Sequence, residues 1–251
     1  MNLSDFDVVL FDLDGTVYYG SEIIPGANEK IRFFLNAGKK IYFATNNSTK
    51  TRKQIFEKLI AMGIDCQYEE IITSGYLAGL YAKREGLSDI FIFGSDNLRA
   101  EFDQMGVPYN QTSASEHLLI GYNPAMTYEN LTDALQVALH AKTIIACNRE
   151  RVFPGEGGKM FPGCGAMTAP IEWCAKRESD VIIGKPATLM IELISEIEKK
   201  PSYRFLVIGD TYESDIVMAK LAGAKHILIT KGDAPHDTDT VTAIEKIIGL
   251  F

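Results

Sequence analysis

The chain has 251 residues, 46% of them hydrophobic, and a formal net charge of −8 at pH 7. This length fits one large domain or two smaller ones, and the apolar content is sufficient for a proper core. The negative charge argues against binding of a nucleic-acid backbone, which requires clustered Lys and Arg. The apolar stretches are strand-sized, and the N-terminus lacks the pattern of a signal peptide. We therefore expect a cytoplasmic protein without nucleic-acid or membrane partners.

The cysteines and histidines show no pattern that would hold a metal or form disulfides. Cys66, Cys147, Cys164 and Cys174 contain no CxxC pair, and the four histidines lack metal-ligand spacing. In a cytoplasmic chain such cysteines are expected to be free thiols.

The stretch from Phe6 to Thr16 is an apolar run that ends in two acids, a glycine and a threonine. Apolar, β-branched and aromatic residues closed by a turn signal predict a central strand of a parallel sheet. Asp12 and Asp14 follow this run, and two carboxylates at ~4 Å repel by roughly 4 kcal/mol at an effective dielectric near 20. A cation must therefore lie between them, or one must hold a proton. The alternative is a solvated acidic turn after an edge strand.

Strand and helix signals alternate through the first 84 residues. Apolar periodicity predicts helices over residues 27–36, 51–62 and 74–84, and strands over 40–44 and 71–72. The polar sequence Thr45-Asn46-Asn47-Ser48 directly follows one of these strands. This alternation indicates a parallel α/β sheet with right-handed crossovers.

The middle of the chain contains a second alternation of the same kind. It predicts strands over residues 90–94, 117–121 and 143–147, and helices over 97–105, 131–140 and 166–176. A glycine-rich loop over residues 155–165 precedes the last helix. We predict that residues 80–179 form a separate α/β domain inserted into the first, which comprises residues 1–79 and 180–251.

The last part of the chain is expected to resume the first fold. Strands are predicted over residues 181–183, 205–208 and 226–230, and helices over 186–199, 214–222 and after 239. Pro186 suits the opening turn of the first of these helices.

Polar residues follow several strands of the predicted sheet. Ligand sites of open parallel sheets lie outside the carboxyl ends of the strands, so these residues should meet. They are Asp12, Asp14, Thr45, Asn46 and Asp210, with Lys185 as the cation that joins them and Asp215 at the start of the next helix. Each has a structural explanation alone, such as helix capping or a solvated charge. Together, each beside a strand end, they favour a functional site.

Four stretches resemble the successive motifs of the haloacid dehalogenase (HAD) superfamily of phosphohydrolases. They are Asp12-Leu13-Asp14-Gly15-Thr16, Thr45-Asn46, Lys185-Pro186, and Gly209-Asp210 followed by Asp215. The large insert and its Pro162-Gly163-Cys164-Gly165 segment are similar to the NagD-like, or p-nitrophenylphosphatase, branch with its type-2 (C2) cap. The resemblance implies a Rossmann-like parallel-sheet HAD core with an inserted α/β cap that closes over the leaving group.

The resemblance also implies the reaction and the residues that perform it. It indicates a Mg²⁺-dependent phosphatase for a small phosphorylated metabolite, of the nucleotide or sugar phosphate class, with an aspartyl-phosphate intermediate. Asp12 would be the nucleophile and Asp14 the general acid/base. Thr45, Asn46 and Lys185 would bind the phosphoryl oxygens. Asp12, Asp210 and the backbone carbonyl of Asp14 would ligate Mg²⁺, while Asp215 would hold the metal's waters or Lys185.

The insert is where the chain departs from this branch. Asn123 stands where the branch often has an acid, and Ala146-Cys147-Asn148-Arg149-Glu150 replaces its common Ala-Thr-Asn-x-Asp. Candidate substrate contacts in the insert are Asn148, Arg149, Glu150 and Lys159. The alternative is that each of them is a solvated loop residue.

Three other functions remain open at this point. A phospho-acceptor module also combines aspartates, a hydroxyl and a lysine at strand ends, but has no need of an acid two residues beyond its acceptor. A scaffold with a decayed site would not require the full set of catalytic residue types. A phosphomutase would need a second anion site. The sequence also leaves a homo-oligomer open.

Overall fold

The computed structural model describes residues 1–154, 159–230, 239–241 and 244–251, which form two compact units. The first unit comprises Met1–Thr45, Gln54–Ile72 and Lys185–Phe251. The second comprises Asn46–Lys53 and Thr73–Gly184. The inserted domain expected over residues 80–179 shares most of its residues with the second unit but differs from it at both ends.

The elements alternate between strands and helices along most of the chain. The strands are β1 (Val8–Asp12), β2 (Tyr18–Tyr19), β3 (Glu22–Ile23), β4 (Lys40–Thr45), β5 (Ile71–Thr73), β6 (Ile90–Phe93), β7 (His117–Ile120), β8 (Thr143–Ala146), β9 (Val152–Pro154), β10 (Met160–Pro162), β11 (Val181–Ile182), β12 (Phe205–Gly209), β13 (Lys225–Ile229) and β14 (Asp239–Val241). The α-helices are α1 (Ala27–Asn36), α2 (Arg52–Ala61), α3 (Ser74–Arg84), α4 (Asp96–Met105), α5 (Tyr128–Ala138), α6 (Gly165–Ala175), α7 (Leu189–Glu198) and α8 (Val217–Ala222).

The first unit is built on a six-stranded sheet with the order β14-β13-β12-β1-β4-β5. Strand β1 lies parallel to both β12 and β4, with Leu10 opposite Val207 and Tyr42. All five residues of β1 are buried, so both faces of this strand are covered. The carboxyl ends of β1, β4 and β12 consequently lie at one edge of the sheet.

The second unit has its own sheet, with the order β11-β8-β7-β6 and parallel neighbours. Its core includes Leu118, Ile144 and Ile171, which are almost inaccessible to solvent. Strands β9 and β10 form a separate antiparallel hairpin. The rings of Phe153 in β9 and Phe161 in β10 stack on each other, with their centroids 5.7 Å apart.

Hydrogen bonds explain why residues 46–53 group with the second unit. The Ser48 hydroxyl accepts a bond from the Tyr122 amide at 3.0 Å. The Arg52 amide donates to the buried Glu101 carboxylate at 2.7 Å. These bonds join residues that are 74 and 49 positions apart in the chain, so the sequence offers no local signal for them.

Four expected elements differ in the structure. Within the loop predicted over residues 155–165, Met160–Pro162 forms strand β10. Residues Val181–Ile182 pair with β8 in the second sheet, rather than resuming the first fold. Helix α7 begins at Leu189, because residues 185–188 form a turn, so Pro186 precedes the helix. Asp239–Val241 forms a strand paired with β13, and the chain then ends in a 3₁₀ helix over Ile244–Leu250 rather than an α-helix.

The expectation of free thiols is confirmed. All four cysteines are free, and only Cys174 is exposed. Burial raises the pKa of Cys66 and of Cys164 to about 12, which leaves both thiols protonated and unreactive. Part of the predicted glycine-rich loop and His236 lie outside the described residues. None of the helices in the described part of the chain has the length and apolar character needed to cross a membrane.

An ion pair beside β1 gives a prediction for stability against pH. The Arg204 guanidinium donates to both carboxyl oxygens of Asp7 at 2.6 and 3.1 Å, and the Lys200 ammonium lies 3.1 Å away. These contacts lower the pKa of Asp7 from 3.8 to about 2. Since the folded pKa is lowered, the stabilisation is present above pH ~4 and is lost as the pH falls through about 2.

Asp7→Asn should therefore lower the free energy of unfolding at pH 7 by about 1 kcal/mol, because the pair is partly exposed. The difference from the unsubstituted protein should shrink as the pH falls from 4 to 2, measured by urea unfolding at each pH. The exposed Asp65 supplies the control variant Asp65→Asn. A deficit that did not change with pH would contradict the ion-pair explanation.

Candidate active site

Three strands of the first sheet deliver polar residues to the same edge. Asp12 is the last residue of β1, Thr45 is the last residue of β4, and Asp210 follows β12. Asp12 and Thr45 are buried and Asp210 is half-buried. Parallel strands in this order place the predicted residues together, as expected for an open α/β sheet.

Lys185 joins two of the acids in the interior of the unit. Its Nζ lies 2.5 Å from Asp12 Oδ1, 2.6 Å from Asp215 Oδ1 and 3.4 Å from the carbonyl oxygen of Ala44. The lysine is 3% exposed, so its charge is almost completely removed from water. A buried ammonium is tolerated when its donors are used by carboxylates in this way. Burial alone would lower the pKa of Lys185, but Asp12 and Asp215 raise it above its ordinary value.

Asp12, Asp210 and Asp215 form an acidic cluster. Each offers one carboxylate oxygen, and these three oxygens all lie within 4.8 Å of one another. Burial raises the pKa of Asp12 well above its ordinary value; Lys185 opposes this rise, and Asp215 and Asp210 add to it. Burial, together with the Asp215 charge, raises the pKa of Asp210 to about 6. The neighbouring carboxylates add to the effect of burial on both pKa values, because one ammonium faces three carboxylates.

This donor set fits a divalent cation. Three carboxylates and one ammonium leave two formal negative charges in a largely buried site. Hard carboxylate oxygens are the protein ligands that Mg²⁺ prefers, usually one or two of them with water and substrate phosphate completing the shell. Asp12 and Asp210 are the members of the cluster that could bind the ion, since Asp215 is already committed to Lys185 and to the Thr211 amide.

Two glycines permit the acids to approach so closely. A Cβ on Gly15 would lie 2.1 Å from Oδ2 of Asp210, and Gly15 has a φ of +92° that side chains rarely adopt. A Cβ on Gly209 would lie 2.4 Å from the carboxyl carbon of Asp215. The glycines within the predicted motifs therefore leave room for the acidic cluster.

Asp14 lies outside this cluster, in the turn that follows β1. Strand β1 ends at Asp12, and the chain then turns into a short hairpin made of β2 and β3. The Asp14 side chain is exposed, and its Oδ2 accepts a hydrogen bond from the Tyr18 hydroxyl at 3.1 Å. The Lys58 ammonium lies 3.3 Å from the centroid of the Tyr18 ring.

The sequence interpretation missed Tyr18 and Lys58. The sequence Tyr18-Tyr19-Gly20-Ser21 carries a hairpin signal, namely two aromatic residues followed by a glycine turn. Nothing in it indicates that Tyr18 would bond to Asp14.

The remaining candidates lie in the second unit. The Asn46 side-chain amide donates to Glu150 Oε1 at 2.9 Å, and the Asn46 carbonyl oxygen accepts bonds from Asn148 Nδ2 at 2.8 Å and Ser74 Oγ at 2.7 Å. Arg149 forms an ion pair with Glu172. Lys159 is exposed, with its ammonium 5.1 Å from the Phe161 ring centroid. Asn148, Arg149 and Glu150 thus make hydrogen bonds within their own unit, and a contact of any of them with substrate stays a prediction.

Family models match both ends of the chain. The haloacid dehalogenase-like hydrolase model matches residues 9–108, and a HAD-hydrolase-like model matches residues 182–246. The chain is 34% identical over 228 residues to the sugar phosphatase AraL of Bacillus subtilis, covering 90% of this chain and 84% of the relative. It is 29% identical over 259 residues to the human glycerol-3-phosphate phosphatase, covering 92% of this chain and 80% of the relative.

Solved structures of phosphatases have the same fold. The 4-nitrophenylphosphatase of Thermotoga maritima matches with a TM-score of 0.89 and 27% identity, over 98% of each chain. The p-nitrophenyl phosphatase of Archaeoglobus fulgidus matches with a TM-score of 0.91 and 26% identity, over 98% of this chain and 100% of the other.

The similarities extend over the motifs and the insert alike. The chain therefore belongs to the haloacid dehalogenase-like hydrolase family, in its NagD-like, p-nitrophenylphosphatase branch. It is an enzyme of the HAD phosphatase class, with a Rossmann-like α/β core and an inserted α/β cap. The fold class and the enzyme class expected from the sequence are confirmed.

Proposed function

We propose that this enzyme hydrolyses the phosphate monoester of a sugar or a related polyol, with Mg²⁺, through an aspartyl-phosphate on Asp12. The observation that carries the proposal is the buried arrangement in which Lys185 bridges Asp12 and Asp215 while Asp210 completes an acidic cluster. A phosphate dianion would be repelled by these carboxylates alone. Mg²⁺ bound by Asp12 and Asp210 would supply the positive charge that neutralises the phosphoryl oxygens and polarises the phosphorus.

The side chains that flank the cluster have the chemistry to bind a phosphoryl group. The ammonium of Lys185 can donate to a phosphoryl oxygen in place of the Ala44 carbonyl oxygen, which lies 3.4 Å away, and the hydroxyl of Thr45 can donate to another. Both side chains are buried. Donors fixed in a poorly solvated site stabilise the charge that shifts during phosphoryl transfer. Asn46, which follows Thr45 in the chain, is the further phosphate-binding residue that the family resemblance implies.

In the first half-reaction, a carboxylate oxygen of Asp12 attacks phosphorus. The bond from phosphorus to the sugar oxygen breaks, and Asp14 gives a proton to that departing oxygen. The products of this step are the free alcohol and an aspartyl-phosphate. Asp12 must be ionised and Asp14 protonated at this moment, which explains why two acids are needed.

In the second half-reaction, the carboxylate of Asp14 takes a proton from water as that water attacks phosphorus. The bond between phosphorus and the Asp12 oxygen breaks, which releases inorganic phosphate and restores both acids. Asp14 lies in an exposed turn, where its carboxyl can meet both water and a leaving group.

Two relatives support the substrate class. The Bacillus subtilis relative is named a sugar phosphatase and the human relative a glycerol-3-phosphate phosphatase, so each acts on a phosphorylated polyhydroxy compound. We therefore propose sugar phosphates and related polyol phosphates, rather than nucleotides, as the substrates of this enzyme. The cytoplasmic location and a homo-oligomeric state stay predictions.

Release of inorganic phosphate from a panel of phosphorylated metabolites tests the proposal. Sugar phosphates and glycerol phosphates, assayed with Mg²⁺, should be hydrolysed faster than nucleoside monophosphates, and EDTA should stop the reaction. Faster hydrolysis of nucleotides would overturn the substrate class. A product that keeps its phosphate at a new position would indicate a phosphomutase. Phosphate that stays on the protein without turnover would indicate a phospho-acceptor module.

Mg²⁺ should also stabilise the folded protein in the absence of substrate. An ion that binds the native state alone stabilises it by about 2.7 kcal/mol at 100 times its Kd, so Tm should rise with Mg²⁺ concentration. Asp210→Asn should reduce this rise, because it removes one ligand of the cluster. Differential scanning fluorimetry with and without EDTA measures both effects, and an equal rise in the two proteins would contradict the assignment of Asp210.

A further inference from the structure

The hydrogen bond between Tyr18 and Asp14 joins a core residue to an exposed one. Tyr18 is 1% exposed, whereas Asp14 is exposed to solvent. The hydroxyl donates to Oδ2 of Asp14 at 3.1 Å. A tyrosine hydroxyl is protonated at neutral pH, so it donates to a carboxylate. The acid proposed to move protons is thus held by a side chain anchored in the hydrophobic core.

The backbone fixes the distance between these two residues. The Tyr18 amide donates to the carbonyl oxygen of Leu13 at 3.1 Å, and the Gly15 amide donates to the carbonyl oxygen of Tyr18 at 2.9 Å. These bonds close the turn between Asp14 and Tyr18, and the β2–β3 hairpin continues from it. Tyr18 therefore approaches Asp14 from a position that the turn defines.

The Tyr18 ring is held from outside the turn as well. Tyr18 belongs to the hydrophobic cluster of the first unit, which also contains Leu13 and Val17. The Lys58 ammonium lies 3.3 Å from the ring centroid, in the range of a cation–π contact. A ring restrained by packing and by a cation holds its hydroxyl in one place at little further entropic cost.

We propose that Tyr18 is a positioning residue for Asp14, a role that rests on the proposed function. Its hydroxyl donates to Oδ2 and thereby holds the carboxyl group in the orientation from which it exchanges a proton with the leaving group. Loss of this bond removes a restraint on the Asp14 side chain, so a smaller share of its rotamers would suit proton transfer.

The effect should depend on how much the leaving group needs a proton. A sugar or glycerol oxygen is a poor leaving group and requires protonation as the bond to phosphorus breaks. A p-nitrophenolate departs readily as an anion and requires little help. Loss of the Tyr18 hydroxyl should therefore slow hydrolysis of alkyl phosphates by about 10- to 100-fold and that of p-nitrophenyl phosphate by much less.

The experiment compares Tyr18→Phe with the unsubstituted enzyme on a series of aryl and alkyl phosphates. We expect kcat/KM of the variant to fall more steeply as the pKa of the leaving alcohol rises. Phenylalanine keeps the ring that packs in the core, and circular dichroism with a thermal melt confirms the fold. Tyr19→Phe is the matched control, because Tyr19 is the neighbouring tyrosine and is 62% exposed; it should leave the slope unchanged.

A double-mutant cycle separates positioning from a general structural effect. In an Asp14→Asn background, Tyr18→Phe should cause no further loss with alkyl phosphates, since the group that it positions is gone. An unchanged slope, a uniform loss on all substrates or additive losses in the cycle would each overturn the role of Tyr18. Failure of the proposed function would look different, because no phosphate ester would then be hydrolysed in a manner that depends on Asp12.

Discussion

Asp12→Asn should abolish turnover while leaving the protein folded. Asparagine keeps the size of the side chain and can still accept a hydrogen bond from Lys185, but its amide is a poor nucleophile for phosphorus. We expect kcat to fall by about 10⁴-fold or more, as for other enzymes that lose the nucleophile. Phosphate release from the best sugar phosphate measures the loss, and acid-quenched protein should carry no phosphoryl group.

The same substitution should cost little stability, which distinguishes a lost nucleophile from a lost fold. One ammonium faces three carboxylates in the metal-free site, so removing one of the three charges relieves repulsion. We expect the free energy of unfolding without Mg²⁺ to stay within about 1 kcal/mol of the original or to rise.

Asp7→Asn provides the matched control for this experiment. Asp7 immediately precedes the strand that Asp12 ends, but its carboxylate is paired with Arg204 rather than with the cluster. The control should retain full activity and lose a little stability, the reverse of Asp12→Asn. Substantial residual phosphatase activity in Asp12→Asn would remove Asp12 from the role of nucleophile.

The sequence predicted the central part of the site because strand ends can be read locally. The apolar run before Asp12 and the run before Asp210 each mark a buried parallel strand, and such strands end at a common edge. For Lys185, the sequence predicted only that a cation is needed at this edge to balance the carboxylates, and not which atoms it contacts. The structure supplies the atoms that it contacts, Asp12 and Asp215, which lie 173 and 30 residues away in the chain.

The residues that the sequence did not reveal are placed by packing between distant segments. Strand β11 has only two residues, and it pairs with β8. A stretch this short shows no periodicity that would assign it to one sheet or the other. The bond from Tyr18 to Asp14 depends on a turn whose form follows from Gly15 and its positive φ. Asn46 and Glu150 are 104 residues apart, and only the folded second unit brings them within a hydrogen bond.

Lys185→Met should cause the largest loss of stability among these variants. Methionine fills a similar volume but leaves the buried carboxylates of Asp12 and Asp215 without their ammonium. Removing one partner of a buried ion pair costs about 3–5 kcal/mol, because an uncompensated charge remains away from water. We expect a loss of this size in urea unfolding at pH 7 without Mg²⁺, whereas the exposed-lysine control Lys83→Met should stay within ~0.5 kcal/mol.

A second substitution tests whether charge is the reason for this loss. The double variant carries both Asp12→Asn and Lys185→Met, and it has one fewer of the two buried carboxylates that lose their ammonium. It should therefore be more stable than Lys185→Met alone. Turnover of the single variant should fall by about 10²–10³-fold or more, because a donor to the phosphoryl oxygens is lost. Equal stability of the single and double variants would show that Lys185 supports the fold through packing and not through its charge. We expect the double variant to recover stability but not activity. Asp12 is needed for the chemistry, whereas Lys185 is needed for the charge balance around Asp12.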